Sequence, residues 1–141
     1  MNEVETKRRA LGDVRVLDMT GPTGVYCTKL LSDLGADVIR IEPPGGDPTR
    51  RLGPFFHDEP DPDKSLYFFH FNTNKKSVTL NLDKEEGRSL FKKLVKTADI
   101  FVESFNPGHL SSLGLGYEVL KEINPGLILV SISGFGQTGP Y

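Results

Sequence analysis

The amino-acid sequence predicts an α/β fold with a mainly parallel sheet flanked by helices. Short apolar segments rich in β-branched residues alternate with segments in which apolar residues recur at helical spacing. Turns containing glycine or proline separate these segments. A chain of 141 residues suits one such domain around a single core.

The first predicted unit is a strand, a helix and a second strand. Val14 to Met19 has the pattern of a short buried strand, and the turn from Gly21 to Gly24 ends it. Val38 to Ile41 is the second strand, and Gly35 ends the helix between the two. The apolar positions of that helix recur at i, i+3, i+4 and i+7, and we expect them to face the core: Cys27, Leu30, Leu31 and Leu34. Such β-α-β units build parallel sheets.

A long polar loop and an aromatic run follow the second strand. The loop from Pro43 to Pro62 contains six prolines and three glycines, and loops of this length are usually functional or disordered. The pattern of Leu66 to Phe71 does not distinguish helix from strand. His70 lies inside this run, which favours a packed side chain over a catalytic one.

Three further strands and two helices are expected in the second half. The predicted strands are Ser77–Leu82, Ile100–Val102 and Leu127–Ile132. Asp83 is expected to cap a helix that begins at Lys84, and a second helix is expected over Tyr117–Ile123. The predicted core-facing positions of the first helix segment are Leu90, Phe91, Leu94, Val95 and Ala98, and those of the second are Val119, Leu120 and Ile123.

Composition narrows the class of protein. A net charge of -2 gives no reason to expect nucleic acid or an anionic membrane as the main partner. No apolar run approaches the roughly 20 residues that span a bilayer, and Met1 to Ala10 is too polar for a secretory signal. Cys27 is the only cysteine, which excludes an internal disulfide and a Cys-rich metal site. A cytoplasmic protein is expected, with Cys27 as a small core residue.

Four polar or glycine-containing segments lie beside predicted strands, where open α/β sheets bind ligands. They are Gly21–Gly24, Asn72–Ser77, Glu103–Gly108 and Ser133–Gly136. The first could admit a phosphate or a pantetheine chain, and Glu42 follows roughly 20 residues later, where dinucleotide-binding folds hold a ribose. Its glycines lack the G-x-G-x-x-G spacing, and an ordinary turn explains it equally well. An ordinary turn is the better explanation of Asn72–Ser77 and Glu103–Gly108, taken singly, and it explains Ser133–Gly136 equally well. None of the three histidines has a metal partner at helical spacing.

In their order along the chain, these segments resemble one protein family. The motifs of the family III (CaiB/BaiF) CoA-transferases are matched in sequence order by residues 16–20 (VLDMT), 31–48 (LSDLGADVIRIEPPGGDP), 72–80 (NTNKKSVTL), 98–108 (ADIFVESFNPG), 113–117 (LGLGY) and 124–141 (NPGLILVSISGFGQTGPY). The resemblance covers nearly the whole chain from Leu11.

The resemblance implies a Rossmann-like domain that binds coenzyme A (CoA) over residues 13–141, truncated at its C-terminal end, behind a polar tail at residues 1–12. The implied enzyme moves CoA between an acyl-CoA and a carboxylic acid, after an aspartate attacks the thioester. That aspartate would follow Tyr141, so the chain is expected to hold no catalytic residue and to be inactive when isolated. Members of the family are homodimers of two interlocked rings. Aspartates 18, 33, 37 and 99 match structural positions.

The resemblance also implies where CoA, the only cofactor or substrate group expected, would bind. The implied residues are Thr20, Gly21, Pro22, Thr23, Gly24, Pro43, Lys75, Leu80, Asn81, Leu82, Asp83, Ser104, Phe105, Asn106 and Ser112. Ser104 replaces a frequent asparagine. Ser112 stands where a basic residue often contacts phosphate, so Lys75, Lys76 or Lys84 is expected to supply the cation instead.

Three other functions remain open on the sequence. An α-methylacyl-CoA racemase shares the fold and moves a proton with a pair of bases. A binding module without activity would fold as a partial CoA-binding domain or act as a non-catalytic partner. A nicotinamide-dependent dehydrogenase would use Glu42, although the glycine spacing disfavours it.

Overall fold

A parallel sheet lies at the centre of the computed structural model, which describes residues 9–139. Its strands are β1 (Arg15–Met19), β2 (Asp37–Glu42), β3 (Lys76–Thr79), β4 (Ile100–Glu103) and β5 (Ile128–Ser131). They lie in the order β3-β2-β1-β4-β5, and all four neighbouring pairs run parallel. The predicted α/β fold with a mainly parallel sheet is therefore confirmed.

The helices cover both faces of this sheet. They are α1 (Val25–Asp33), α2 (Leu66–Asn72), α3 (Glu85–Val95), α4 (His109–Ser112) and α5 (Tyr117–Ile123). The aromatic run is thus a helix, and Ser65 caps it, since its Oγ accepts a hydrogen bond from the Phe68 N–H at 3.0 Å. The long loop before it is ordered and contains two short 3-10 helices, Pro48–Arg51 and Phe56–Asp58.

The alternation of side chains along the strands divides the core in two. Leu17, Phe101 and Ile41 face the layer of α3, α4 and α5, where Phe91 and Leu120 are also buried. The opposite face carries Val16, Val38 and Val102 and packs against the half-buried Leu31 of α1. Both faces of the sheet are therefore covered, as a parallel sheet requires.

Helix α1 turns a different face to the sheet from the one predicted. Its buried residues are Val25, Thr28 and Ser32, whereas Cys27, Leu30 and Leu34 are exposed and only Leu31 of the predicted set is half-buried. The cause is the ionised Asp18 beneath the helix, because the Thr28 hydroxyl donates to its carboxylate at 2.8 Å. A buried carboxylate requires polar neighbours, and this requirement outweighs the apolar stripe.

The predicted end of α1 is confirmed. Gly35 has a φ of 104°, in the left-handed region that glycine tolerates best. Its N–H donates to the Ser32 carbonyl and the Ala36 N–H donates to the Leu31 carbonyl, both at 3.0 Å. This pair of bonds is the Schellman arrangement, which satisfies the last carbonyls of the helix.

Several predictions in the second half were wrong in detail. Asp83 does not cap α3, which begins at Glu85 with Lys84 as its N-cap and has no side-chain cap. The buried face of α3 comprises Gly87, Phe91 and Val95, so Leu90 lies to the side and is exposed. Val119 of α5 and His70 of α2 are also exposed.

Strand ends differ from the predictions by up to three residues. β3 ends at Thr79 instead of Leu82, because the Asn81 side chain turns the chain by accepting a hydrogen bond from the Asp83 N–H at 3.0 Å. β2 and β4 each extend to a glutamate, Glu42 and Glu103. Polar side chains therefore end the strands where the sheet meets the loops.

Part of the predicted N-terminal tail can be compared with the structure. Residues 1–8 lie outside the described residues, as do residues 140–141. Leu11, inside the predicted tail, packs beside the α1 face of the core, and its N–H donates to the Leu34 carbonyl at 3.1 Å.

Candidate functional site

A cleft of about 410 Å³ opens at the carboxyl edge of the sheet. Loops that follow β1, β2, β3 and β4 contribute to it, because parallel strands bring their carboxyl ends to one edge. The lining residues are Met19, Thr20, Gly21, Arg40, Ile41, Glu42, Pro43, Pro44, Pro48, Leu80, Asn81, Leu82, Asp83, Ser104, Phe105, His109 and Leu113.

The cleft gathers most, but not all, of the residues that the sequence singled out. The predicted residues that line it are Thr20, Gly21, Pro43, Leu80, Asn81, Leu82, Asp83, Ser104 and Phe105. Those that do not line it are Pro22, Thr23, Gly24, Lys75, Asn106 and Ser112. Asn106 instead lines a separate pocket of about 240 Å³, together with Glu103 and Ser131.

Lys75 lies inside the protein instead of supplying a free cation to the cleft. Its side chain is 1% exposed, and its Nζ donates to Asp18 Oδ2 at 2.9 Å and to Thr28 Oγ1 at 2.8 Å. Burial lowers the pKa of Lys75, although the neighbouring Asp18 carboxylate opposes this change. The expectation that Lys75 meets a phosphate was therefore wrong. Lys76 is also engaged, in a surface ion pair with Asp37 at 2.6 Å.

A buried ion network forms the floor of the cleft beside β1. Arg40 is 2% exposed, and its guanidinium bonds to Asp18 at 2.8 Å and to Asp47. The same Asp18 Oδ1 accepts the N–H of Thr20 at 2.9 Å. Burial would raise the pKa of Asp18, but the charges of Arg40 and Lys75 outweigh it and lower that pKa. The network fixes Thr20, the first cleft residue after β1.

A second ion pair holds the loop that forms one wall. Arg50 donates two hydrogen bonds to Glu42, at 2.7 and 2.8 Å, and the Asp47 N–H donates to Glu42 at 2.8 Å. The hydrogen bonds from Arg50 lower the pKa of Glu42 to about 2 despite partial burial. Because both carboxylate oxygens are engaged, Glu42 is not free to hold the ribose of a dinucleotide, which removes the basis of the dehydrogenase alternative.

The turn after β4 forms the opposite wall and is tied to the turn after β1. The Gly21 N–H donates to Ser104 Oγ at 2.6 Å, and the Phe105 N–H donates to Glu103 Oε2 at 2.6 Å. The ring of Phe105 lies 4.7 Å from the ring of His109, tilted by 40°. These contacts hold an aromatic surface against the cleft.

Sequence reasoning missed Arg40 and His109 as cleft residues. An arginine inside the apolar strand VIRIE was a usable signal, because a buried cation needs carboxylate partners. His109 follows Phe105 by four residues, but a Pro-Gly turn separates them. Helical spacing therefore does not predict their contact. Met19 and Leu113 add apolar surface that the sequence did not single out.

Two searches of the described part of the chain were negative. Across residues 9–139, no group of three or more His, Cys, Asp and Glu side chains is placed to hold a metal ion. Over the same range, no helix combines the length and apolar character needed to cross a bilayer.

Comparison with known proteins identifies relatives over nearly the whole chain. The sequence model of CoA-transferase family III matches residues 11–141. The chain is 46% identical over 126 residues to succinyl-CoA:(R)-benzylsuccinate CoA-transferase subunit BbsE of Thauera aromatica, covering 89% of this chain and 31% of that protein. It is 47% identical over 135 residues to succinyl-CoA--D-citramalate CoA-transferase of Chloroflexus aurantiacus, covering 94% and 33%. The chain thus spans about a third of the length of these relatives.

Solved structures share the fold at comparable identity. A CAIB/BAIF family protein from Brucella suis matches with a TM-score of 0.84 and 42% identity, over 95% of this chain and 36% of that one. Rv3272 from Mycobacterium tuberculosis matches with a TM-score of 0.85 and 37% identity, over 94% and 36%. Because sequence and fold agree along almost its full length, this chain belongs to CoA-transferase family III.

Proposed function

We propose that this chain forms the CoA-binding α/β domain, residues 13–141, of an enzyme that moves CoA between an acyl-CoA and a carboxylic acid. The observation that supports the proposal is the set of residues that line the cleft. Nine of the fifteen residues implied by the family resemblance line one depression at the carboxyl edge of the sheet. The names of the relatives, which are CoA-transferases acting on several different acids, favour the same reaction class.

The cleft offers CoA an apolar surface, enough volume and one rigid wall. Leu80, Leu82 and Phe105 offer apolar surface against which an adenine ring or a pantetheine chain can pack. The volume of about 410 Å³ lies within the range of small-molecule pockets. The prolines of the opposite wall, Pro43 and Pro44, restrict the backbone there and reduce the entropy lost on binding.

Three acids carried by the strands of the sheet are poor candidates for the nucleophile. Asp18 is enclosed by Arg40 and Lys75, Glu42 is held by Arg50, and Glu103 accepts the Phe105 N–H. A nucleophilic carboxylate needs a free oxygen beside the thioester carbonyl. The family resemblance implies a nucleophilic aspartate outside these 141 residues, and we expect the 141-residue chain alone to show no acyl exchange from succinyl-CoA above the uncatalysed rate.

Calorimetric titration tests the binding part of this proposal. We expect CoA to bind the purified full chain, and NAD to bind at least tenfold more weakly or not at all. Phe105→Ala should weaken CoA binding by about 1 kcal/mol through lost apolar contact, which is roughly fivefold in Kd. Phe69→Ala, which removes an exposed phenylalanine of α2 away from the cleft, is the matched control and should leave Kd unchanged. Tighter binding of NAD than of CoA would refute the proposal.

We also propose a homodimer in the cytoplasm. The support for the dimer is the family resemblance together with the exposed apolar side chains of α1 and its C-cap, Tyr26, Leu30 and Leu34. The support for the location is the cysteine usage, because Cys27 is the only cysteine in the sequence. Sedimentation velocity and fractionation of expressing cells test the two statements separately.

A further inference from the structure

His109 occupies a position in the cleft that no sequence pattern assigned to it. It begins α4, its side chain is exposed, and its ring contacts the Phe105 ring at 4.7 Å. Among residues 9–139, no hydrogen bond or ion pair engages either imidazole nitrogen, since the contacts of His109 with Ser112 and Leu113 go through its backbone. The ring is therefore positioned by stacking while both nitrogens stay available to a ligand.

Two arginines near the cleft are already engaged, and Lys84 is exposed but does not line it. Arg40 bonds to Asp18 and Asp47, and Arg50 bonds to Glu42 and Asp63. Lys75 is enclosed in the interior, as described above. The carboxylate of Asp83, which lines the cleft, adds negative charge. An anionic ligand in the cleft would therefore meet the uncommitted imidazole nitrogens of His109, one of the described lining residues.

We propose that His109 contacts a phosphate group of CoA. This inference rests on the proposed function and deepens it by naming the side chain that recognises the anionic part of the ligand. An imidazole N–H donates a hydrogen bond to a phosphate oxygen, and its protonated form adds charge attraction. The tilted contact with the Phe105 ring restricts the imidazole, which limits the entropy lost when the bond forms. CoA carries a 3′-phosphate and a pyrophosphate, and both offer this chemistry.

Three substitutions at position 109 separate charge from ring stacking. His109→Ala removes both the donor and the ring, His109→Phe keeps a ring without a donor, and His109→Arg supplies a cationic donor. We expect the Ala and Phe variants to bind CoA about three- to tenfold more weakly, as the loss of one exposed charge-assisted hydrogen bond predicts. The Arg variant should bind at least as tightly as the wild type. The differences should shrink when the salt concentration is raised from 50 mM to 500 mM, at a Debye length falling from about 14 Å to about 4 Å.

Dephospho-CoA, which lacks the 3′-phosphate, distinguishes the two phosphate sources. If the 3′-phosphate is the partner, His109→Ala should bind dephospho-CoA as well as the wild type does. If the pyrophosphate is the partner, the loss seen with CoA should persist with dephospho-CoA. Either pattern supports the contact and identifies its partner.

His70→Ala is the matched control, because His70 is also exposed but lies on α2 and does not line the cleft. It should leave the Kd for CoA unchanged. Equal Kd values for wild type and His109→Ala would overturn the phosphate contact while leaving CoA binding itself intact. Full affinity in His109→Phe with reduced affinity in His109→Arg would also overturn it, in favour of stacking. Failure of the wild type to bind CoA would overturn both the contact and the proposed function.

Discussion

Asp18 lies fully buried between two cations, Arg40 and Lys75, and determines much of the local geometry. Its carboxylate orients the Thr20 N–H at the entrance of the cleft and the Thr28 hydroxyl of α1. A buried carboxylate with this many partners is stable only while every partner is present. Strands β1 and β2 bring Asp18 and Arg40 together, since the two residues are opposite each other in the register of this pair.

Replacing Asp18 should therefore destabilise the protein strongly. Asp18→Asn leaves Arg40 and Lys75 without their shared counter-charge, and we expect the free energy of unfolding to fall by about 3 kcal/mol or more. Asp37→Asn is the control, because Asp37 also pairs with two cations, Arg15 and Lys76, but at the surface. We expect it to cost below about 1 kcal/mol in urea unfolding. Similar losses in both variants would contradict the role given to burial.

Glu42 should make stability depend on pH in the acid range. Its pKa is about 2 in the folded protein and 4.5 ordinarily, so the unfolded chain binds a proton first as pH falls. The stabilisation is complete above pH 4.5 and is lost as pH falls towards 2. Glu42→Gln should lower stability at pH 7 and flatten the fall in this window, measured by urea unfolding at closely spaced pH values. An unchanged slope would show that the Arg50 pair does not persist in solution.

The sequence showed that position 40 is unusual but not what it contacts. An arginine in an apolar strand implies buried partners, yet Asp18 is 22 residues away and Asp47 lies in a proline-rich loop. Only the strand register and the fold of that loop bring the three side chains together. The misassignment of Lys75 has the same origin, because a lysine in a polar turn has the pattern of a surface residue.

The strands and most helices were predictable because apolar runs and periodicity report burial directly. Helix α1 is the exception in its orientation, since Thr28 and Ser32 face the sheet in place of Cys27 and Leu30. The hydrophobicity of single residues does not report that the Asp18 carboxylate lies beneath the helix. The end of β3 was misplaced for a comparable reason, namely the hydrogen bond that the Asn81 side chain makes to its own turn.

Gly87 links α3 to the turn that lines the cleft. A Cβ at this position would lie 1.9 Å from the Asn81 carbonyl oxygen, which is backbone and cannot move aside cheaply. We expect Gly87→Ala to destabilise the protein by about 1–3 kcal/mol and to weaken CoA binding, since Asn81 to Asp83 must shift. Gly134→Ala is the control, because a Cβ there meets nothing within 4 Å. Thermal unfolding and CoA titration of both variants test this, and an unaffected Gly87→Ala protein would refute it.

The strand order β3-β2-β1-β4-β5 places the two halves of the sheet on either side of β1. Loops distant in sequence meet at one edge because every strand points the same way, and this part of the site was predictable from the fold class alone. The direction in which each loop leaves this edge of the sheet was not predictable from the fold class. Residues 22–24 precede α1 and do not line the cleft, and Ser112 ends the short helix α4 without reaching it.

The sheet leaves β5 as an edge strand among the described residues, and its Ile128 is 58% exposed. Exposed edges with apolar side chains associate with other chains. We expect sedimentation velocity to show concentration-dependent association of the purified chain, reduced in Ile128→Lys. Glu122→Lys, a charge change on the exposed surface of α5, should leave the association unchanged. A monomer at every concentration would count against the prediction.

The enclosed charges also constrain how this sequence can diverge between species. Asp18 and Asp47 carry two negative charges and Arg40 and Lys75 two positive ones, so the group is electrically neutral as a set. Losing one member leaves an unmatched charge in the interior, whereas losing an opposite pair restores the balance. Substitutions at these four positions should therefore be inherited in compensating pairs. A lineage that changes only one of them keeps an unmatched charge in the interior and a less stable protein.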